Sequence, residues 1–185
     1  MLHVIGLVVH LSVHQEANLS FIAAILKKQT NELKSYCANS ANPVGQLVLY
    51  VHGHHEPELH RFSDEICSAL QLANFLQDVS VDIPRGRCYL PEEDLLHFGV
   101  THEELLRGDA TEAFTELMQF SVTRVRAMFH RGQPLIRQVS PGLSMELDAT
   151  WRGGMRILDR IEAMGCNTLT AVSYTHLTLP TICSV

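Results

Sequence analysis

Residues 63–82 run for a full twenty positions without a proline or a glycine. That spacing predicts one continuous helix over 63–82, ended by Pro84-Arg85-Gly86. At about 100° per residue, Gln71, Asn74, Asp78 and Asp82 fall within about 80° of one another and form a polar stripe. Leu70, Leu72, Ala73, Leu76 and Val79 occupy much of the remaining circumference. A helix apolar on most sides belongs in an interior, so the rest of the chain must be arranged around it.

The neighbouring segments read as helices too. Apolar residues recur at helical spacing over 19–37. Asn42 followed by Pro43 reads as an N-cap with proline at the first helical position, and Gly53 supplies a stop. Pro91 begins a short helix ending near Gly99, and Thr101 with Glu104 makes a capping box for the next, stopped by Gly108. Asp109 or Thr111 caps a long helix to Gly132, and the last lies between about 141 and 165. Period-two alternation and Asn-Gly hairpin signals are missing, so the expected class is all-α.

A hydrophobic content of 46% against 18% charged residues suits a domain with a large apolar interior. The formal charge of −6, with no basic run, argues against nucleic-acid binding. Five scattered cysteines without a CxxC pair point to a reduced, intracellular setting. The apolar opening, residues 1–13, is too short to span a bilayer, where about 20 residues are needed, and lacks the basic start of a secretory signal. It is read as a buried helix at the start of the domain, within residues 1–18. From 172 to 185 the chain reads Val-Ser-Tyr-Thr-His-Leu-Thr-Leu-Pro-Thr onward, without charge or helical period. This stretch is expected to be a non-native, adapter-derived tail, leaving 1–171 as the domain.

Two carboxylates one turn apart on a buried helix repel each other and lose solvation. They persist as a pair when protonated, matched by cations, or bound to a metal. Oxygen donors from Asp78, Asp82 and the amides of Asn74 and Gln71 suit a hard ion such as magnesium, which also takes phosphate oxygens. Arg85 and Arg87, parted by a glycine that permits a tight turn, can grip diphosphate oxygens or pair with the acids.

The run from Gln71 to Pro91, QLANFLQDVSVDIPRGRCYLP, resembles the second aspartate-rich motif of the squalene/phytoene synthases, roughly QLxNxxxDxxxDxxRGRxYLP. The resemblance extends through Tyr36-Cys37 to Val44-Gly45, through Leu117-Met118 and Phe120 with Arg124 and Arg126, and into Gly153-Gly154 to Glu162. It implies an isoprenoid synthase helical bundle around a deep apolar cavity, with magnesium as cofactor. It implies Asp78 and Asp82 as catalytic, metal-facing carboxylates and Asn74 as a further metal ligand. Gln71, Arg85 and Arg87 are expected to bind substrate, Tyr89 to sit at the cavity entrance as a catalytic residue, and Val44 and Gly45 to border the hydrocarbon.

Two departures resemble the bacterial hydroxysqualene synthase branch of hopanoid biosynthesis. Gln77 stands where an arginine is usual, and Ser40-Ala41-Asn42-Pro43 stands where Val-Ala-Gly is usual. The expected reaction of the whole protein is therefore presqualene diphosphate plus water to hydroxysqualene plus diphosphate. The alternatives are a head-to-head prenyl transferase making presqualene diphosphate, squalene or phytoene, with farnesyl diphosphate as a substrate, and a non-catalytic assembly or scaffold relative that keeps the fold. Before Ser63 the chain has no aspartate, so the family's first aspartate-rich motif is missing, and a partial, inactive piece is expected. The expected location is cytoplasmic, peripheral at the inner face of the bacterial membrane, with a prenyl diphosphate partner and an oligomeric state left open. His52, His54, His55 and His60 are read as a polar loop, Arg124 and Arg126 as inter-helix pairs, Trp151 and Gly153-Gly154 as helix packing, and Asp109 and Glu112 as first-turn acids.

Overall fold

The computed structural model describes residues 30–170. The expectations for the apolar opening and the tail lie outside these residues, as does most of the predicted helix over 19–37.

Eight helices follow one another: α1 (Thr30–Asn39), α2 (Asn42–Val51), α3 (Pro57–Gln77), the single turn α4 (Val79–Asp82), α5 (Glu92–Phe98), α6 (His102–Arg107), α7 (Glu112–Gly132) and α8 (Pro141–Ala163). Two short 3₁₀ turns, Ile83–Arg85 and Gln133–Arg137, complete the described residues, which hold no strand. The all-α expectation stands. Thr101 and Glu104 make the reciprocal capping box, and Thr111, not Asp109, caps α7 through the Phe114 N–H. Asp109 lies before the helix and receives the Arg107 Nε–H at 2.7 Å, while Glu112 does sit in the first turn.

Three local expectations change. The central helix begins at Pro57, because proline needs no N–H partner in a first turn, and it breaks at Asp78, short of Asp82. Asn42 is the first helical residue of α2, not its cap. Its buried side chain accepts instead from the Ser68 hydroxyl at 2.9 Å, joining α2 to α3.

α3 is the axle. α7 lies along one side, α2 along another, and α8 crosses both α3 and α7. The core between them contains Ala69, Ala73, Phe114, Leu117, Phe129 and Leu158, all without measurable exposure. Gly154 makes the α8 crossing close: a Cβ there would collide with the Phe129 ring. Trp151 donates its indole N–H to the Phe129 carbonyl at 2.8 Å, near the end of α7. Trp151 and Gly154 thus serve helix packing, the role read for them in the sequence.

Candidate functional site at the exit of the central helix

The local fold of the acid pair follows from where α3 ends. Asp78 leaves helical geometry (φ −96°, ψ 13°), although its N–H still donates to the Asn74 carbonyl at 2.9 Å. Its own carbonyl accepts from the Val81 and Asp82 N–H groups, each at 2.9 Å, and starts α4. Val79 and Val81 are poor helix formers and Pro84 cannot continue the ladder, so the chain turns here. Gly86 then adopts φ 74°, a backbone region glycine enters without strain. That turn lets the Arg87 N–H reach back to the Asp82 carbonyl at 3.0 Å. The predicted stripe therefore holds for Gln71 and Asn74 and bends at Asp78.

Asp78 and Asp82 are both half-buried. Loss of solvent pushes the Asp82 carboxyl above the usual range, and the neighbouring Asp78 charge pushes it further, against the pull of Arg87 and Arg85. Burial also raises the Tyr89 hydroxyl, with Asp82 and then Tyr36 adding to it and Arg87 opposing. Tyr36 is raised by burial first, then by Cys37, while a Ser40 hydrogen bond and Arg87 act the other way. Arg87 is thus the shared counter-charge for Asp82, Tyr89 and Tyr36. The motif had included Tyr36 without giving it a role. Its placement depends on α1 packing on α3, which no local pattern encodes.

Phe75 joins the two tyrosines, stacked on Tyr89 at 3.8 Å between centroids and tilted against Tyr36 at 6.0 Å. Tyr89 does not border the main cleft, contrary to expectation. It borders a second cleft of about 670 Å³ with Leu72, Leu76 and Arg124. The reason is the Gly86 turn, which carries residues 87–90 back onto the Phe75 side of α3.

The main cleft lies between α2, α3 and α8 and holds about 820 Å³, mouth included. Ser40, Gln71 and Asn74 line the end nearest Asp78, and Val44, Val48, Ile66 and Leu70 line its walls. α2 runs antiparallel to α3, since Asn42 meets Ser68 and the Gln46 amide donates to Asp64 at 2.9 Å. Val44 and Gly45 border this cleft. Gly45 is needed for helix contact: a Cβ there would strike the Ser63 hydroxyl and lie 2.5 Å from the Cys67 sulfur. Burial lifts the Cys67 thiol to about 11, so it stays protonated at neutral pH.

Other candidates fall away. His52 caps the end of α2 through the Val48 carbonyl at 2.8 Å, and His60 contacts the His54 carbonyl at 3.2 Å. Among the described residues no three of His, Cys, Asp and Glu converge on a metal position. Arg124 pairs with Asp94 at 2.6 Å, and Arg126 reaches Asp159 and Glu162 at 2.8 and 2.7 Å. Cys37, Cys67, Cys88 and Cys166 are free thiols. No helix among the described residues is long and apolar enough to cross a membrane. The oxygen donors at the α3 exit are Asp78, Asp82 and the amide of Asn74. A repelling, desolvated carboxylate pair of this kind is what a hard divalent ion relieves, so the residues fit magnesium.

The family model described as squalene/phytoene synthase matches residues 19–181. The chain belongs to the squalene/phytoene synthase family. Within that family it is 34% identical to the phytoene synthase of Arthrospira platensis over 145 residues, 71% of this chain and 47% of the relative. Among solved structures it resembles the squalene synthase HpnC from Alicyclobacillus acidocaldarius, at 38% identity and a TM-score of 0.74, over 76% of this chain and 54% of that one. YisP from Bacillus subtilis shares the fold at 20% identity and a TM-score of 0.70, over 78% of this chain and 58% of that one. The chain thus spans about half the length of the proteins it matches.

Proposed function

We propose that the protein carrying this chain ionises presqualene diphosphate with the help of magnesium and lets water capture the rearranged cation, giving hydroxysqualene and diphosphate. The observation that carries this reading is the half-buried, mutually repelling pair Asp78 and Asp82 with Arg85 and Arg87 beside it, following in the chain on Gln71 and Asn74, which line an apolar cleft. Similarity to a protein named squalene synthase HpnC supports prenyl diphosphate chemistry, and Gln77 with the Ser40-Ala41-Asn42-Pro43 run favours the hydroxysqualene branch.

In this reading Asp78, Asp82 and Asn74 hold magnesium. When bound, the ion supplies Lewis-acid stabilisation of the charge on the departing diphosphate. Arg85 and Arg87 grip the diphosphate oxygens, Arg87 being held in place by its backbone bond to Asp82. Tyr89, stacked on Phe75, orients Arg87 from behind. Val44, Val48, Ile66 and Leu70 keep bulk water off the hydrocarbon, so a cation survives long enough to rearrange. Water then adds through its oxygen, and the surplus proton leaves to the freed diphosphate. Because substrate and product are long hydrocarbons, action at the inner face of the bacterial membrane is part of the proposal.

The names of relatives favour a second reading, a head-to-head prenyl transferase of the phytoene synthase type. The test is to incubate the intact gene product with presqualene, farnesyl or geranylgeranyl diphosphate, with and without magnesium, and identify the neutral lipid. Magnesium-dependent hydroxysqualene from presqualene diphosphate supports the first reading. A hydrocarbon made from farnesyl or geranylgeranyl diphosphate, with presqualene diphosphate left unhydroxylated, replaces it with the second.

A further inference from the structure

We propose that the Ser40 hydroxyl, with the Gln71 amide, holds the water that captures the cation, so that Ser40 decides between an alcohol and a hydrocarbon product. This rests on the reading above, in which diphosphate leaves at Asp78 and Asp82 and water completes the reaction.

The end of α1 orients the hydroxyl. Ser40 Oγ–H donates to the Tyr36 carbonyl at 2.8 Å, so its one donor is spent on the backbone. A serine oxygen keeps two lone pairs beyond that bond. The Tyr36 hydroxyl also interacts with Ser40 and can take one of them, which leaves the other for a water O–H. A water that donates to Ser40 turns its own lone pairs away from it. It is presented as a nucleophile.

Helix register sets the level of this water. The Ser68 hydroxyl donates to the Asn42 amide oxygen and the Gln46 amide to Asp64, each at 2.9 Å. Four residues forward on α2 therefore match four back on α3, and Ser40 comes level with Leu70 and Gln71. All three line the cleft, so the Gln71 amide supplies the second polar partner that a confined water needs. Asn74 lies about 6 Å further towards the acids along α3. A carbon leaving a diphosphate held at Asn74 and Asp78 enters the cleft at the level of Ser40.

The surroundings of this water are apolar, with Ala41, Val44 and Leu70 in the lining. The other lining hydroxyls lie deeper. Ser63 precedes Asn74 by eleven residues, about 16 Å along the helix. Thr150 donates to the Glu146 carbonyl at 2.9 Å and stands a turn before Gly154, which packs on Leu70. The C–O bond of presqualene diphosphate breaks with both electrons passing to diphosphate. The cation rearranges, the held water forms the new C–O bond through its oxygen, and the surplus proton goes to the freed diphosphate. Deprived of that water, the cation loses a proton to diphosphate and becomes a hydrocarbon.

The experiment incubates the intact gene product with presqualene diphosphate and magnesium and measures hydroxysqualene formed per diphosphate released. Ser40→Ala should lower this ratio about tenfold, as loss of one hydrogen bond of ordinary strength would, with hydrocarbon making up the difference. Ser40→Val should do the same. Ser40→Thr, matched to Ser40→Val in shape but keeping a hydroxyl, should stay within about threefold of wild type. Should Ser40→Ala release no diphosphate, the Ser40→Val and Ser40→Thr pair decides. A wild-type ratio in Ser40→Ala, or one ratio shared by Ser40→Val and Ser40→Thr, overturns the inference and leaves the reading of the reaction standing. Wild type that releases diphosphate without forming hydroxysqualene overturns that reading, and the inference with it.

Discussion

The α7–α8 side of the molecule and the exit of α3 handle charge in opposite ways. Each of the three arginines of α7 has an acid within 3.0 Å: Arg124 with Asp94, Arg126 with Asp159 and Glu162, Arg131 with Glu65. Phe114, Phe129 and Leu158 lie beneath them without exposure. At the α3 exit an acid is set next to another acid and both are partly withdrawn from water. One region is arranged for stability and the other accepts a cost to stability. A fold does this where a charged ligand completes the site.

The largest expected effect lies at the exit. In the intact protein, Asp78→Asn or Asp82→Asn should lower turnover of the prenyl diphosphate by about 100-fold or more, because charge stabilisation at a departing group is lost. The fold should survive, which circular dichroism checks. Phe129→Ala inverts this result. It should cost about 3–5 kcal/mol in denaturant unfolding by leaving a cavity under Gly154, with turnover per folded molecule retained, since Phe129 does not line the main cleft. Arg124→Ala comes next, at about 2 kcal/mol, because it strands the carboxylate of Asp94, a residue 8% exposed.

The smallest effect is on pH dependence. The folded-state pKa of Asp82 is raised, so between its ordinary value and the raised one the folded chain binds more protons than the unfolded chain. Stability contributed by this group therefore falls as pH rises through that window and stays low above it. Without metal, Asp82→Asn should raise Tm at neutral pH by about one or two degrees, the half-exposed position limiting the gain. The gain should vanish below the ordinary aspartate range, which thermal melts across pH 3–8 check.

Much of this was legible in the sequence because it is written locally. The capping box at Thr101, the turn at Gly86 and the apolar faces of α7 and α8 each follow from residues within a few positions of one another. The QLxN and DxxxD pattern located the cleft lining and the acid pair. What could not be read depends on partners distant in the chain. The stacking of Tyr89 on Phe75 required the chain to fold back after Asp82. Asn42 reads as a cap because only its proline neighbour is local, while its partner, Ser68, is on another helix. The break at Asp78 was missed for a different reason: 63–82 contains no proline or glycine, and the weak propensity of Val79 and Val81 decided the matter once Pro84 blocked extension.

The central claim is that Asp78 and Asp82 are held together to bind a divalent ion and diphosphate. Thermal melts of the intact gene product, titrated with magnesium and inorganic diphosphate together, address it most directly. Wild type should gain about 5 °C or more at saturation through mass action on the folded state, and Asp82→Asn should gain nothing. An equal rise in both proteins, or none in wild type, would contradict the account.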